Sequence, residues 1–436
     1  MDPENILVEF IKEGLKSADP YEAVTRNLRI DKENIVIKDQ YRVKRRKTHV
    51  IGFGKSSVGM VKAVVDLLGN DVVGGVVISP DKEFQLGSVE IVKGDHPIPS
   101  TNTERASKKL IEYLKNIDKN DLTIILISGG GSALFEVPLP GVDLRDIAEI
   151  SEMLMKAGAD IIELNTVRKH LSMTKGGRLL KLVNSEEIVS LIISDVIGDP
   201  ISFIASGPTA VDETTYRDAY NILIKRGIWS RIRDNVKEVI IRGMRGEIEE
   251  SVKPGDPVLN KVKNIIIASN IISLESIEKQ ALNLGFKVLS LGPYIKGEAR
   301  EVGKVLASIA RSIKILRRPV EPPVVLLGGG ETTVTVKGRG IGGRNQEMCL
   351  SILIEIKDLP NVYFACIGTD GIDGNSPAAG AIIDHRVYEE AMRRNIDPQD
   401  YLDRNDSYTF FKLLNRAIET GPTGVNVGDL YIGLIL

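Results

Sequence analysis

The sequence has 436 residues, 42% of them hydrophobic and 27% charged, which is enough length for two or three globular domains. Lys and Arg number 57 against 59 Asp and Glu, so the net charge of -2 argues against a dedicated nucleic-acid-binding protein. No apolar run reaches the ~18 residues that a membrane span requires, and two cysteines in so long a chain argue against a disulfide framework. We therefore expect a cytoplasmic protein with neither a nucleic-acid nor a membrane partner.

Residues 1 to 30 carry apolar side chains at helical spacing and predict a packed helical start. A short apolar run from His49 then enters a glycine turn, Gly52 to Gly59, and a helical pattern follows. A strand, a glycine turn and a helix N-terminus in succession suit an anion, because free N–H groups and the helix dipole point at the turn. Lys55 in this turn is a candidate phosphate ligand, although a solvated surface lysine is the simpler alternative.

Two known phosphate-binding motifs come close to this turn and fail. A Walker P-loop requires glycine where His49 stands, and a dinucleotide fingerprint requires glycine where Ser57 stands. Further along, Asp95 to Pro99 predicts a rigid turn in which His96 is structural or faces a ligand weakly. The four histidines are scattered without metal spacing, so a zinc enzyme is not expected.

A second candidate site follows the apolar run Leu122 to Ile127. The run ends in Ser128, Gly129, Gly130, Gly131 and Ser132. Ligands bind at the carboxyl ends of strands in open α/β sheets, and three glycines in succession expose backbone N–H groups that can hold anionic oxygens. A tight structural turn needs one such glycine and rarely three, so this segment predicts a substrate or phosphate site.

A helix starting near Asn165 is predicted to carry Arg168, Ser172 and Lys175 on one face, where they could clamp an anionic substrate. A basic surface stripe is the alternative. The next buried strand, Ile188 to Ile193, is followed by Asp195 and Asp199. Either aspartate could bind Mg²⁺ or a substrate hydroxyl, but Asp199 precedes proline and fits an ordinary turn better.

The C-terminal half contains a third glycine-rich segment. The apolar run Val324 to Leu327 leads into Gly328, Gly329, Gly330, Glu331 and Thr332, and Lys337 to Gln346 read KGRGIGGRNQ. We interpret the first glycines as a ligand-facing turn, and Arg344 as a cation suited to phosphate or carboxylate. A hairpin with a solvated basic loop is the alternative. Another strand, Val362 to Ile367, is followed by Asp370 and Asp373, which could bind metal or orient a hydroxyl.

Taken together, these segments resemble the glycerate kinases of the MOFRL type. The resemblance is carried by SGGGSALFEVPLPG (128–141), NTVRKHLSMTKGGRL (165–179), SDVIGDP with ASGPT (194–209), GGGETTVTVKGRGIGGRNQE (328–347), GTDGIDGNSPAAGA (368–381) and TGPTGVNVGDL (420–430), and it covers nearly the whole chain in order. It implies two α/β domains, an N-terminal doubly wound Rossmann-like sheet and a C-terminal mixed α/β sheet, with the active site in the cleft between them. We expect the domains to span residues 1–235 and 236–436, and packing of the last ~30 residues back on the first domain is left open.

The resemblance also implies an activity, the phosphorylation of D-glycerate by ATP with Mg²⁺ or another divalent cation to give 2-phosphoglycerate. The family's lysine and arginine match Lys55 and Arg344, while Ser56 and Ser57 stand where smaller residues are expected. Phosphoryl transfer is mostly positioning and neutralisation of charge. The catalytic set is then Lys55, Arg344, Asp195 and Asp370.

The remaining roles divide between the glycine segments. The two aspartates, Asp195 and Asp370, would hold the metal or take the hydroxyl proton. Substrate or transferred phosphate would bind Ser128 to Ser132, Arg168 and Lys175, and the nucleotide would bind Gly328 to Thr332. The domain that holds the nucleotide, and a monomeric or homodimeric state, are left open.

Two other functions compete with this one. An NAD(P)H-dependent hydroxypyruvate reductase is weakened by the broken fingerprint at Gly52 to Gly59 and by the lack of an acidic residue cleanly ending the next strand. A non-catalytic protein that binds a sugar acid or a nucleotide would keep the glycine segments without productive geometry for the acids and cations.

Overall fold

The computed structural model describes residues 2–436, which form a mixed α/β protein with three sheets. Within these residues the strands are β1 (Leu28–Asp31), β2 (Asn34–Ile37), β3 (Tyr41–Lys44), β4 (Thr48–Phe53), β5 (Val72–Ser79), β6 (Phe84–Leu86), β7 (Val89–Lys93), β8 (Leu122–Ile127), β9 (Glu187–Ile193), β10 (Val262–Ala268), β11 (Lys287–Ser290), β12 (Val324–Gly330), β13 (Val362–Gly368), β14 (Gly380–Asp384), β15 (Ala417–Ile418) and β16 (Asp429–Ile435). The helices are α1 (Pro3–Ala18), α2 (Pro20–Asn27), α3 (Ser57–Leu68), α4 (Thr101–Leu114), α5 (Gly131–Leu134), α6 (Leu144–Lys156), α7 (Ile161–Lys169), α8 (Leu179–Leu182), α9 (Tyr216–Lys225), α10 (Asp234–Met244), α11 (Asn270–Asn283), α12 (Ala299–Arg311), α13 (Arg344–Glu355), α14 (His385–Arg393), α15 (Pro398–Asp403) and α16 (Ser407–Leu413).

The chain divides into two compact units. The large-sheet unit comprises residues 20–193 and 199–267, and the mixed-sheet unit comprises residues 2–19, 194–198 and 268–436. No helix within residues 2–436 is long and apolar enough to cross a membrane.

The large-sheet unit is built on a seven-stranded sheet with the order β10-β9-β8-β4-β5-β7-β6. β4 pairs in parallel with β5 and β8, and β7 and β9 extend the parallel set, while β6 is an antiparallel edge strand. Every residue of β8 is buried, as expected for a central parallel strand covered on both faces. The sheet therefore confirms the predicted doubly wound class, and it brings the carboxyl ends of β4, β7 and β8 to one edge.

The mixed-sheet unit contains a six-stranded sheet with the order β11-β12-β16-β13-β14-β15. β11 and β12 are parallel, whereas β16 is antiparallel to both β12 and β13 and lies between them. The predicted mixed α/β sheet is thus confirmed. The strand that closes the chain is a central member of it.

The division differs from the predicted boundary at 235/236 in three segments, residues 2–19, 194–198 and 236–267. α10 packs against α9, and β10 forms the edge of the large sheet beside β9, so residues up to 267 stay with the large-sheet unit. α1 packs instead against α11 and β16 of the mixed-sheet unit through Leu7 and Phe10. The long apolar strand Asp429–Ile435 is buried inside the mixed sheet, and packing of the last ~30 residues on the first domain stays a prediction.

Candidate active site

Lys55 stands in the turn between β4 and α3, and backbone contacts join this turn to the end of β8. The Lys55 backbone N–H donates to Gly129 O at 2.9 Å, and Ser56 N–H donates to Ser128 Oγ at 3.0 Å. A Cβ on Gly54 would lie 2.1 Å from Ser128 Oγ, so glycine is required for this approach. The Lys55 side chain itself is exposed. The structure thus brings together the first two segments that the sequence singled out.

The β8 turn, residues 128–132, turns through Gly130, whose φ of +80° is left-handed. A Cβ on Gly130 would lie 2.9 Å from His96 Cδ2 and 3.3 Å from Lys55 Cγ. The imidazole and the lysine stem therefore pack directly over the glycine turn. Burial and the Lys55 charge both hold the pKa of His96 below its ordinary value.

A chain of side-chain hydrogen bonds supports the β8 turn. Ser206 Oγ donates to Asn165 Oδ1 at 2.8 Å and is 2.8 Å from Ser132 Oγ. Ala205, Ser206 and Gly207 all have left-handed backbone angles, an uncommon run that holds the Ser206 hydroxyl in place. Neither Asn165 nor Ser206 was predicted as a site residue, although both fall in the motifs that carry the resemblance.

Arg168 and Lys175 reach the β8 turn, but not from one helical face. α7 ends at Lys169. It also starts earlier than predicted, because Asp160 and Glu163 form a capping box at its N-terminus. Arg168 Nη2 and Lys175 Nζ each donate to Ser132 O at 3.0 Å. Both cations thus hold the backbone of the turn.

Lys175, which was predicted to contact the substrate, is buried and has an ion-pair partner within the protein. Its side chain is 1% exposed and forms an ion pair of 2.7 Å with Glu136, which is fully buried. Ser172 Oγ donates to the other oxygen of the same carboxylate. Burial lowers the pKa of Lys175 to about 8, and the nearby Arg168 charge acts in the same direction while Glu136 opposes both. A glutamate inside the apolar run LFEVPL was the sequence signal for this pair.

In the mixed-sheet unit, Arg344 is the first residue of α13 and is held by two carboxylates. Its Nε lies 2.6 Å from Asp429 Oδ2, and its Nη1 donates to Glu331 Oε1 at 2.9 Å. Burial lowers the pKa of Arg344, but the charges of Asp429 and Glu331 outweigh it and raise the pKa above the ordinary value. Asp429 is 1% exposed, whereas the Arg344 side chain is 31% exposed. Arg344 is therefore firmly charged and still accessible to a ligand.

Asp373 caps α13. Its two carboxylate oxygens accept the backbone N–H groups of Asn345 and Gln346 at 3.1 and 2.8 Å, and the side-chain amides of the same two residues at 3.2 and 3.0 Å. Burial raises the pKa of Asp373 to about 6, against the pull of these donors. With every oxygen engaged by α13, Asp373 has a structural role and not the metal-binding one considered from the sequence.

The glycines at 328–330 are not a ligand-facing turn, which corrects that interpretation. They are the last three residues of β12, paired in register with Tyr431, Leu430 and Asp429 of β16. A Cβ on Gly330 would lie 2.0 Å from Ile295 O, and one on Gly329 would lie 2.0 Å from Asn270 Oδ1. Glycine is needed here so that other parts of the protein can approach the strand.

The glycine loop, residues 337–343, is likewise packed against protein. Asn405 Oδ1 accepts from the backbone N–H groups of Lys337 and Gly338 at 2.8 and 2.9 Å, and Asn375 Oδ1 accepts from Gly342 at 2.8 Å. A Cβ on Gly338 would lie 1.9 Å from Arg404 O. Much of the loop's backbone is thus already hydrogen-bonded within the protein, and a phosphate at this loop would depend on Arg344.

These packed segments enclose a cavity of about 680 Å³ in the mixed-sheet unit. Its lining includes Thr332, Val336, Gly343, Arg344, Asp370 and Ile372. Val336 and Ile372 are 72% and 48% exposed and add apolar surface to the lining, while Arg344 supplies positive charge. Of the predicted nucleotide residues, Thr332 reaches the cavity and Glu331 pairs with Arg344.

The two aspartates predicted as metal ligands both belong to the mixed-sheet unit. Asp370 is exposed at the end of β13, where its Oδ1 accepts the Ile372 backbone N–H at 3.1 Å, and Asp195 is half-buried after β9. Nowhere in residues 2–436 do three or more His, Cys, Asp or Glu side chains form a group that could hold a metal ion. A metal here would need phosphate oxygens as further ligands, which is the usual arrangement for Mg²⁺.

Comparison with known proteins defines the family. Residues 6–241 match the sequence model of a domain of unknown function, DUF4147, and residues 324–429 match that of the MOFRL family. A glycerate 2-kinase of Pyrococcus horikoshii is 41% identical over 100% of this chain and 98% of its own length. A D-glycerate 2-kinase of Thermotoga maritima is 36% identical over the full length of both chains.

A crystal structure of glycerate kinase from Thermotoga maritima superposes with a TM-score of 0.89 at 36% identity, covering 99% of each chain. A relative from Agrobacterium vitis, 37% identical over 99% of this chain and 94% of its own length, is named a putative hydroxypyruvate reductase. The chain belongs to the MOFRL-type glycerate kinase family. Its similarity to the two glycerate 2-kinases extends over its whole length.

Proposed function

We propose that the protein is a glycerate 2-kinase, which transfers the γ-phosphoryl group of ATP to the 2-hydroxyl of D-glycerate. The observation that carries this proposal is the full-length similarity to glycerate 2-kinases, with Lys55 in the turn after the buried strand β4 and Arg344 at the start of α13. The hydroxyl oxygen forms a bond to the γ-phosphorus, the bond to the bridging oxygen breaks, and ADP leaves. The protein has to neutralise charge and hold the reactants in line.

D-glycerate binds at the β8 turn in this proposal. The exposed Lys55 side chain and the backbone around Gly130 offer positive charge and N–H groups for a carboxylate or a transferring phosphoryl group. Arg168 and Lys175 keep the turn in shape through Ser132 O, so their contribution is to the position of the site. In this proposal the exposed Lys55 contacts the substrate, while Arg168 and Lys175 stabilise the turn that binds it.

ATP occupies the cavity of the mixed-sheet unit in this proposal. A volume of about 680 Å³ is within the range of small-molecule sites, and the exposed Val336 and Ile372 suit a nucleobase, while Arg344 suits the phosphates. Asp370 lies at the same cavity and Asp195 in the same unit. Their carboxylates would hold Mg²⁺, and the bound ion would supply neutralisation of phosphate charge.

The test is to incubate the purified protein with D-glycerate, ATP and Mg²⁺ and to measure the release of ADP. Coupling to enolase with and without phosphoglycerate mutase separates 2- from 3-phosphoglycerate, because enolase acts on the 2-isomer. We expect prompt 2-phosphoglycerate that does not depend on the mutase. The 3-isomer would overturn the regiochemistry while keeping the kinase.

The same preparation distinguishes the competing functions. Oxidation of NAD(P)H with hydroxypyruvate, without any phosphorylated product, would favour the reductase name carried by the Agrobacterium relative. Binding of D-glycerate or ADP without turnover would favour a non-catalytic binding protein. A cytoplasmic location and a monomeric or homodimeric state stay predictions.

A further inference from the structure

His96 lies in the loop between β7 and α4, at the edge of the large sheet that also carries Lys55 and Gly130. β4, β7 and β8 all run in the same direction, so the loops that follow them meet at one edge. A Cβ on Gly130 would lie 3.0 Å from His96 Nε2, which puts this ring nitrogen against the β8 turn. His96 is half-buried, so its imidazole is partly exposed to solvent.

The surroundings keep the imidazole in its neutral, basic form. Lys55 is the charged group that acts on His96, and it disfavours a second positive charge; burial acts in the same direction and is the larger cause. The neighbouring Asp95 carboxylate is engaged elsewhere, by the Ser100 hydroxyl and by Asn102 Nδ2 at 3.3 Å. A neutral imidazole can accept the proton of a hydroxyl group as negative charge develops on the hydroxyl oxygen, and a nearby cation stabilises that charge.

We propose that His96 Nε2 accepts the proton of the glycerate 2-hydroxyl as its oxygen attacks the γ-phosphorus, an inference that rests on the proposed glycerate 2-kinase function. The O–P bond forms, the bond to the bridging oxygen breaks, and ADP takes that electron pair. The hydroxyl proton moves to Nε2 and later returns to solvent. Lys55 neutralises the developing charge at the same turn. Asp195 and Asp370 are then left to the metal.

The first test compares His96→Gln and His96→Ala with the wild type. Both variants should lose about 100-fold or more in kcat, the usual contribution of a general base, with KM for D-glycerate within about threefold. His49→Gln is the matched control in the same unit. His49 lies at the opposite end of β4 and contacts Tyr113 Oη at 2.6 Å and Asp121 Oδ2 at 3.0 Å, so the control should keep wild-type kinetics.

The pH profile separates proton transfer from a structural role. Protonation of His96 removes the base, so kcat/KM of the wild type should fall as the pH drops below the His96 pKa, which lies under its ordinary value. His96→Gln should lose this acid limb and stay low and flat. If His96→Gln keeps kcat within about threefold, or keeps the acid limb, the proposal is overturned.

A measurement on the wild type does not depend on the activity of the variants. The chain has four histidines, so the C2–H resonance of His96 can be followed by NMR and assigned by its loss in His96→Gln. D-glycerate should shift this resonance, and Lys55→Met should raise its pKa because the nearby charge is gone. An unmoved resonance at saturating D-glycerate would contradict the proposal. Absence of ADP release by the wild type would instead refute the kinase function itself.

Discussion

The β8 turn of the large-sheet unit and the β12 end of the mixed-sheet unit contain the same sequence feature, three successive glycines after an apolar run. In the first, Gly130 is left-handed and a Cβ would meet the side chains of His96 and Lys55. In the second, Gly330 is paired within the sheet and a Cβ would meet the backbone oxygen of Ile295. One run makes space for two side chains of the proposed substrate site, and the other makes space for the backbone of a neighbouring segment.

The cations beside the two segments differ in a parallel way. Lys175 is buried with Glu136 and bonds to the backbone of the β8 turn, whereas Arg344 is partly exposed and lines a cavity. Exposure therefore separates the cation that maintains a site from the one that can meet a ligand. Variants at these positions test whether this distinction holds.

The largest effect is expected for Lys175→Met. It leaves the Glu136 carboxylate buried without its cation, and breaking a buried pair in this way costs about 3–5 kcal/mol of unfolding free energy. Denaturant unfolding measures the loss. Lys181→Met is the control in the same unit, since Lys181 pairs with the largely exposed Glu249 and should cost at most ~1 kcal/mol. An unchanged stability with lost turnover would return Lys175 to the substrate contacts.

The two glycine runs are compared directly by Gly330→Ala and Gly130→Ala. The first places a methyl 2.0 Å from Ile295 O, which has to move, so we expect about 3 kcal/mol of destabilisation. The second meets movable side chains and a left-handed backbone, at about 1–2 kcal/mol, but it intrudes on the proposed substrate site. Thermal unfolding and kcat/KM for D-glycerate, measured on both variants, should rank them in opposite orders. The same order in both measurements would contradict the different roles assigned to the two glycine runs.

The strands were predictable because a buried strand appears in the sequence as a continuous run of apolar residues. The apolar run Leu122 to Ile127 is β8 residue for residue, and the run Val362 to Ile367 is β13 short of its last glycine. The turn at Lys55 was predictable for the same reason, since strand, glycine and helix follow one another in sequence. The sequence also contained the correct start of α7, in the capping box formed by Asp160 and Glu163.

The purpose of each glycine run was not predictable, because the neighbour that requires the glycine is distant in sequence. Ile295 lies far from Gly330, and Arg404 lies far from Gly338. The partner of Arg344 is also distant in sequence, because Asp429 lies 85 residues away at the start of β16. A run of glycines in the sequence indicates that another group packs closely against the backbone. Only the fold identifies that group.

Arg344→Ala tests the exposed cation. Turnover should fall well over tenfold, equivalent to at least ~1.4 kcal/mol of transition-state stabilisation, since a charge contact to the transferring group is lost. ADP release with D-glycerate measures it. Arg339→Ala, in the exposed glycine loop, is the matched control and should stay within about threefold. Because the change also leaves Asp429 buried without its cation, thermal unfolding has to show that the variant folds. Near-normal turnover in folded protein would remove Arg344 from the mechanism.

The smallest effects separate two neighbouring aspartates of the mixed-sheet unit. Asp373→Asn weakens the cap of α13, because an amide offers one acceptor oxygen to donors that now share two, and about 1 kcal/mol of stability should be lost. Asp370→Asn changes an exposed carboxylate and should leave stability within ~0.5 kcal/mol. Its effect should be a higher Mg²⁺ concentration for half-maximal ADP release, since a proposed metal ligand is lost. If Asp373→Asn raises the Mg²⁺ requirement and Asp370→Asn does not, the two carboxylates have been assigned the wrong way round, and the metal binds at the N-terminus of α13.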